Sequence, residues 1–231
     1  MFCLDRAGLV GGDGPVHHGF LDITYLRGFP GMVLMAPMDE PELLEALKFG
    51  LTLNQPCAVR YPRDTVPTPI ADCPPFTMGR SRRLREGDDA TVLCYGVTAT
   101  AALAAAEMLA ENGIEVAVVN ARFAKPIDRD MVEAAFAAGG PIVTVEDHSV
   151  SGGFGSAVLE TAQEMGLTAA RIVRLGMPTD RFIAHGSRPG QLAECGIDAT
   201  GIAATVQRLM ESPHEAESQA PLLDARALLS R

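Results

Sequence analysis

The chain has 231 residues, 47% apolar and 21% charged, which is enough apolar material for one large domain or two smaller ones with sizeable cores. A net charge of −10 disfavours non-specific binding to nucleic acid and to anionic membranes. Cys3, Cys57, Cys73, Cys94 and Cys195 form no C-x-x-C pair and are odd in number, against a zinc site or a disulfide framework.

Phe2-Cys3-Leu4 reads as the end of a buried strand, so the chain is expected to start inside a domain. A Gly-rich loop runs from Gly8 to Gly19, and a short helix covers Asp22–Arg27. Met32–Ala36 has the continuous apolar character of a buried strand. Asp39 or Pro41 opens a helix whose Leu43, Leu44, Leu47 and Leu51 follow a 3.6-residue period. Cys57–Tyr61 is a strand stopped by Pro62, and residues 64–77, with four prolines, read as an extended linker. Beyond it come an edge strand at Arg80–Arg85 and strands at Ala90–Tyr95, Glu115–Asn120, Pro141–Glu146 and Arg171–Leu175. Helices are expected at Thr98–Asn112, Asp128–Ala138, Gly155–Met165 and Ala199–Met210. Residues 211–231 form a polar tail in which Leu222–Leu229 is a candidate short helix. Alternating strands and helices predict an α/β fold with mostly parallel sheets. No apolar run has the length of a membrane span, and no signal peptide is read at Met1–Arg6, so a cytoplasmic protein is expected.

The chemistry concentrates in Asp5–Gly19, which carries five glycines, two Asp, one Arg and two His just past a strand's carboxyl end. Ligands of open α/β sheets bind at such ends. His17 is suited to proton transfer near neutral pH, against the plainer alternative of a solvated loop histidine. Within an acidic chain, Arg6, Arg60 and Arg63 are candidate anion contacts, because a guanidinium forks two donors onto a phosphate or carboxylate. Structural ion pairs are the alternative. Glu146-Asp147-His148 and the glycines behind it read better as a helix start and packing element than as catalytic groups.

In order, Asp-Arg-Ala-Gly at residues 5–8, Gly-x-Asp-Gly-Pro-x-His-x-Gly at 11–19, Met-Ala-Pro-x-Asp-Glu at 35–40 and Ala-Val-Arg-Tyr-Pro-Arg at 58–63 resemble the 1-deoxy-D-xylulose-5-phosphate synthase family. Arg122–Asp128, Thr144–His148, Gly152–Gly155, Leu175–Pro178 and Phe182–Gly186 agree, so the resemblance covers about residues 2–210. It implies a transketolase-like thiamine-diphosphate enzyme that joins pyruvate to glyceraldehyde 3-phosphate with loss of CO₂ and works as a homodimer. Residues 1–63 would be the latter part of the pyrimidine-binding domain, and 78–210 the carboxy-terminal α/β domain. His17 matches the family's active-site histidine, Arg6 and Arg63 its phosphate-holding arginines, and Asp13 a substrate-side acid. Thiamine diphosphate and Mg²⁺ belong to the complete enzyme, and their diphosphate and metal site is not expected in this chain. Gly12-Asp13-Gly14 looks like the Mg²⁺-binding Gly-Asp-Gly of that class, but the next Asn, Asn54, is too distant to complete it. Three readings remain open: a portion inactive alone, a subunit completed by an amino-terminal partner, or a non-catalytic interaction module. Residues 1–63 alone are expected to be poorly ordered or to self-associate, and 78–210 to fold by itself.

Overall fold

The computed structural model describes residues 1–70, 72–168 and 171–211. The candidate helix at Leu222–Leu229 lies outside them.

The first sheet contains β1 (Phe2–Leu4), β2 (Val33–Met35) and β3 (Cys57–Arg60), with β3 central and parallel to both neighbours. α1 (Asp22–Leu26) follows the Gly-rich loop, and α2 (Glu40–Thr52) connects β2 to β3. Asp39 caps α2 by accepting a hydrogen bond from Glu42 N at 3.0 Å, with Pro41 in the first turn.

The second sheet is built from β4 (Arg82–Arg85), β5 (Ala90–Tyr95) and β6 (Val116–Asn120), then β8 (Ile142–Ser149) and β9 (Ile172–Met177). Its order is β4-β6-β5-β8-β9, and only the edge pair β4/β6 is antiparallel. All residues of β5 and β8 are buried, because α3 (Thr98–Ala110), α4 (Arg129–Ala137), α5 (Phe154–Glu164) and α7 (Ala199–Glu211) cover the sheet. A further short helix, α6 (Arg188–Glu194), has Ser187 as its cap.

Several expectations need correction. β1 is an exposed edge strand, with Phe2 56% accessible, because only β3 flanks it. On α2 the buried positions are Glu42, Ala46 and Gly50, while Leu44 and Leu51 face solvent. The apolar period thus identified the helix but not its inner face. α6 was not anticipated. Neither was β7 (Phe123–Lys125), which leaves the second unit and pairs antiparallel with β2 as the fourth strand of the first sheet. Its three residues are too few to show a period.

β7 ties the two sheets into one packing unit. Phe123 lies in the same cluster as Val33, Met35, Val59 and Phe76, so the proline-rich connection contributes a buried ring. A second cluster mixes Ile23, Leu34 and Ala58 with Leu93, Tyr95 and Phe154. The polar centre of the seam is Glu42, fully buried. It accepts from Met38 N at 3.0 Å, Asn120 Nδ2 at 2.9 Å and Arg122 Nε at 2.8 Å, with Arg82 at 3.3 Å. The Arg122 guanidinium also stacks on the Phe76 ring, 4.5 Å from its centroid.

Candidate active site

The loop from Asp5 to Gly19 begins where β1 ends, beside the end of β3. Tyr61 N donates to Leu4 O and Ala7 N to Tyr61 O, both at 3.0 Å, extending the ladder past the strands. Gly8 and Gly19 exchange hydrogen bonds of 2.7 and 2.9 Å and close the loop's base. Gly8 has φ +80°, and a Cβ there would sit 2.2 Å from the Asp147 carboxylate, so only glycine fits. Two tight 3₁₀ turns, Gly11–Asp13 and Pro15–His17, deliver the side chains.

These turns and the end of β3 bring Arg6, Asp13, His17 and Arg63 together. The Asp13 carboxylate is hydrogen-bonded by Arg63, and Arg6 Nε lies 3.8 Å from it. The Arg63 hydrogen bond and charge, with smaller contributions from His17 and Arg6, hold the Asp13 carboxyl below its usual range. His17 Nδ1–H donates to the Asp13 carbonyl at 3.0 Å, which leaves Nε2 as the nitrogen available to a ligand. The group is solvent-accessible and pairs two guanidiniums with an imidazole, a set suited to a phosphorylated substrate with a reacting carbonyl. A cavity of about 400 Å³ between the two sheets is lined by Leu43, Tyr61, Asp64, Ala101 and Arg188, and by none of these four residues.

Arg60 has a different role from the one its sequence position suggested. It is buried, its Nε bonds Asp22 Oδ2 at 2.7 Å, and a terminal nitrogen reaches the carbonyls of Gly19 (3.2 Å) and Asp147 (3.1 Å). It is a structural pin rather than an anion contact.

Glu146, Asp147 and His148 pack three elements around that pin. Glu146 accepts from Phe154 N at 2.5 Å and Gly155 N at 2.9 Å, capping the start of α5. Asp147 accepts from Leu9 N at 2.9 Å and pairs with Arg188 at 2.5 Å. Burial pushes its carboxyl up, and Arg188 opposes that shift. His148 Nε2 accepts from Ile23 N at 3.2 Å while Nδ1–H donates to Ser149 O at 2.8 Å. The neutral ring satisfies both bonds, and protonation would set N–H against N–H. Burial and the Arg60 charge accordingly lower its pKa to about 4. Burial raises Glu146 to about 7, opposed by its two N–H partners, Arg60 and Arg174.

The two shifts have opposite consequences for stability. Between pH 4.5 and 7 Glu146 stays protonated in the native state but ionises in the unfolded chain, so its contribution falls as pH rises. Between pH 4 and 6.5 the native state keeps His148 neutral while the unfolded chain protonates, so its contribution grows as pH rises. Their slopes oppose each other over most of this range. Glu146→Gln removes one of them, so urea unfolding of the variant relative to wild type is expected to gain with pH, by at most about 3 kcal/mol between pH 4.5 and 7. Parallel curves would show that Glu146 does not titrate there.

Two mostly parallel α/β sheets with a Gly-rich loop at their carboxyl ends define a class shared with known proteins. Residues 79–202 match the family model of the transketolase carboxy-terminal domain, and residues 1–69 match that of the transketolase pyrimidine-binding domain. The chain belongs to the transketolase family. Within it, the chain is similar to the 1-deoxy-D-xylulose-5-phosphate synthases. It is 46% identical over 215 residues to synthase 1 of Geobacter sulfurreducens, covering 91% of this chain and 33% of the relative. Against the synthase of Thermomicrobium roseum it is 47% identical over 206 residues, covering 88% and 32%. The chain thus spans about a third of the length of these relatives and corresponds to a carboxy-terminal portion of them. Among solved structures, a chain described as a split gene transketolase, inactive beta4 tetramer, superposes with TM-score 0.81 at 30% identity, over 90% of this chain and 66% of that one. Transketolase from Leishmania mexicana shares the fold, with TM-score 0.70 at 21% identity over 90% and 29%. Among the described residues, no helix is long and apolar enough to cross a membrane.

Proposed function

We propose that this chain is the substrate-side portion of a 1-deoxy-D-xylulose-5-phosphate synthase, which condenses pyruvate with glyceraldehyde 3-phosphate and releases CO₂. The observation that carries this reading is the convergence of Arg6, Asp13 and His17 on one exposed loop with Arg63 at the end of β3, in a chain so similar to those synthases. Residues 1–63 supply the latter part of a pyrimidine-binding domain, 64–77 the connection and 78–210 the carboxy-terminal domain.

In this reading Arg6 and Arg63 receive the phosphate of glyceraldehyde 3-phosphate, exchanging the Asp13 carboxylate for phosphate oxygens. His17, oriented through Nδ1–H by the Asp13 carbonyl, presents Nε2 to the aldehyde oxygen and, as the imidazolium, passes its Nε2 proton to that oxygen as it becomes an alkoxide, leaving the neutral Nδ1–H ring. Asp13 keeps the arginines in register before substrate arrives. Gly12-Asp13-Gly14 does not fit Mg²⁺ and the diphosphate it would hold. Asp13, the acid of Gly12-Asp13-Gly14, stands between two guanidiniums, and no three His, Cys, Asp or Glu side chains cluster as metal ligands among the described residues. In this reading the diphosphate and metal site belongs to the remainder of the complete enzyme.

A second reading, a separate subunit that completes its site with an amino-terminal partner, is favoured by the likeness to the split gene transketolase chain. CO₂ release from pyruvate plus glyceraldehyde 3-phosphate, with thiamine diphosphate and Mg²⁺, tests both. No turnover is expected from the chain alone, and turnover is expected once the amino-terminal part of a full-length relative is added. Silence in both arms from folded protein would leave the interaction module as the better account.

A further inference from the structure

The carboxyl-side unit grips the loop that carries the candidate site. Leu9 N is bound by Asp147, and His18 links Val10 N (3.2 Å) to Ile183 O (3.1 Å). The most complete grip is that of Gln191, buried on α6. Its Oε1 accepts from Gly11 N at 2.9 Å, and its Nε2 donates to Gly11 O at 3.1 Å and to Ala184 O at 2.7 Å. One side-chain amide therefore pairs with both polar groups of a single loop residue, as a neighbouring strand would, across 180 residues of sequence.

Gly11 opens the turn that ends at Asp13, and its carbonyl also accepts from Gly14 N at 3.2 Å. Gly14 O in turn accepts from His17 N at 3.0 Å. An unbroken chain of hydrogen bonds thus runs from α6 through Gly11 and Gly14 to His17. We propose that Gln191 is a positioning residue: by clamping the Gly11 peptide it sets the turn that presents Asp13 and His17. The consequence for substrate rests on the function proposed above, but the clamp itself can be tested without it.

Amide hydrogen exchange of the full chain is the primary readout, with Gln191→Met keeping the side-chain volume and removing both partners. Exchange at Gly14 and His17 is expected to quicken at least tenfold, with β5 and β6 unchanged. Glyceraldehyde 3-phosphate affinity by calorimetry is expected to fall by a similar factor. Unchanged exchange at Gly14 and His17 would overturn the proposal, as would a uniform rise through β5 and β6, the mark of general destabilisation. Should the Met variant not fold, Gln191→Asn withdraws the amide by one methylene and is judged by the same criteria. Failure of wild-type chain to bind the phosphosugar counts against the proposed function alone, with exchange still deciding the clamp.

Discussion

Glu42→Ala is expected to lower the unfolding free energy by about 3–5 kcal/mol, because it strips a carboxylate from a buried group of charges. Arg122 and Arg82, 3% and 8% exposed in their side chains, would keep their charge and lose that counter-ion, and Asn120 Nδ2 and Met38 N would lose an acceptor. The loss falls on the seam itself, since Glu42 comes from α2 while Arg82, Asn120 and Arg122 come from the second unit. Thermal unfolding should shift by about 2–4 °C per kcal/mol for a chain of this size. A cost below about 1 kcal/mol would mean that the group relaxes or admits water, and that apolar packing of Phe76 and Phe123 carries the seam.

Arg63→Ala is expected to weaken glyceraldehyde 3-phosphate binding at least tenfold by calorimetry, with thermal stability almost unchanged. Arg63 is 58% exposed and its partner is a surface carboxylate, so little folding energy rests on the pair. A phosphate dianion gains two charge-assisted donors from the same fork. Binding by wild type should also weaken with added salt, because both arginines are screened by solvent ions. Affinity within twofold of wild type would remove Arg63 from the site and leave the loop without its main anion contact. Arg60→Ala should show the reverse pattern, because it unpairs buried Asp22 without touching the exposed cluster.

The contrast between these arginines marks the reach of sequence reading. Both lie at the end of one strand, three residues apart. Arg60 is still inside β3, where both faces of a parallel sheet are covered, and alternation does not tell which partner waits on either face. Arg63 lies past Pro62, where the ladder has ended. The α2 leucines tell the same story. Their period identified the helix, yet Leu44 and Leu51 ended outside because the seam is organised around Glu42.

By itself the sequence determined most of the strand and helix order, a helix opening at Asp39 or Pro41, and the presence of Arg6, Asp13 and His17 on one loop with Arg63 at a strand end. Those features are local, set by hydrophobic period, capping chemistry and short spacing along the chain. Only the tertiary structure decided that β7 crosses to the first sheet, that Arg60 is a pin, and that Asp147 and Gln191 hold the Gly-rich loop from more than a hundred residues away. These are pairings between distant buried polar groups, and a side chain's partner across such a distance depends on which surfaces meet when the two sheets pack.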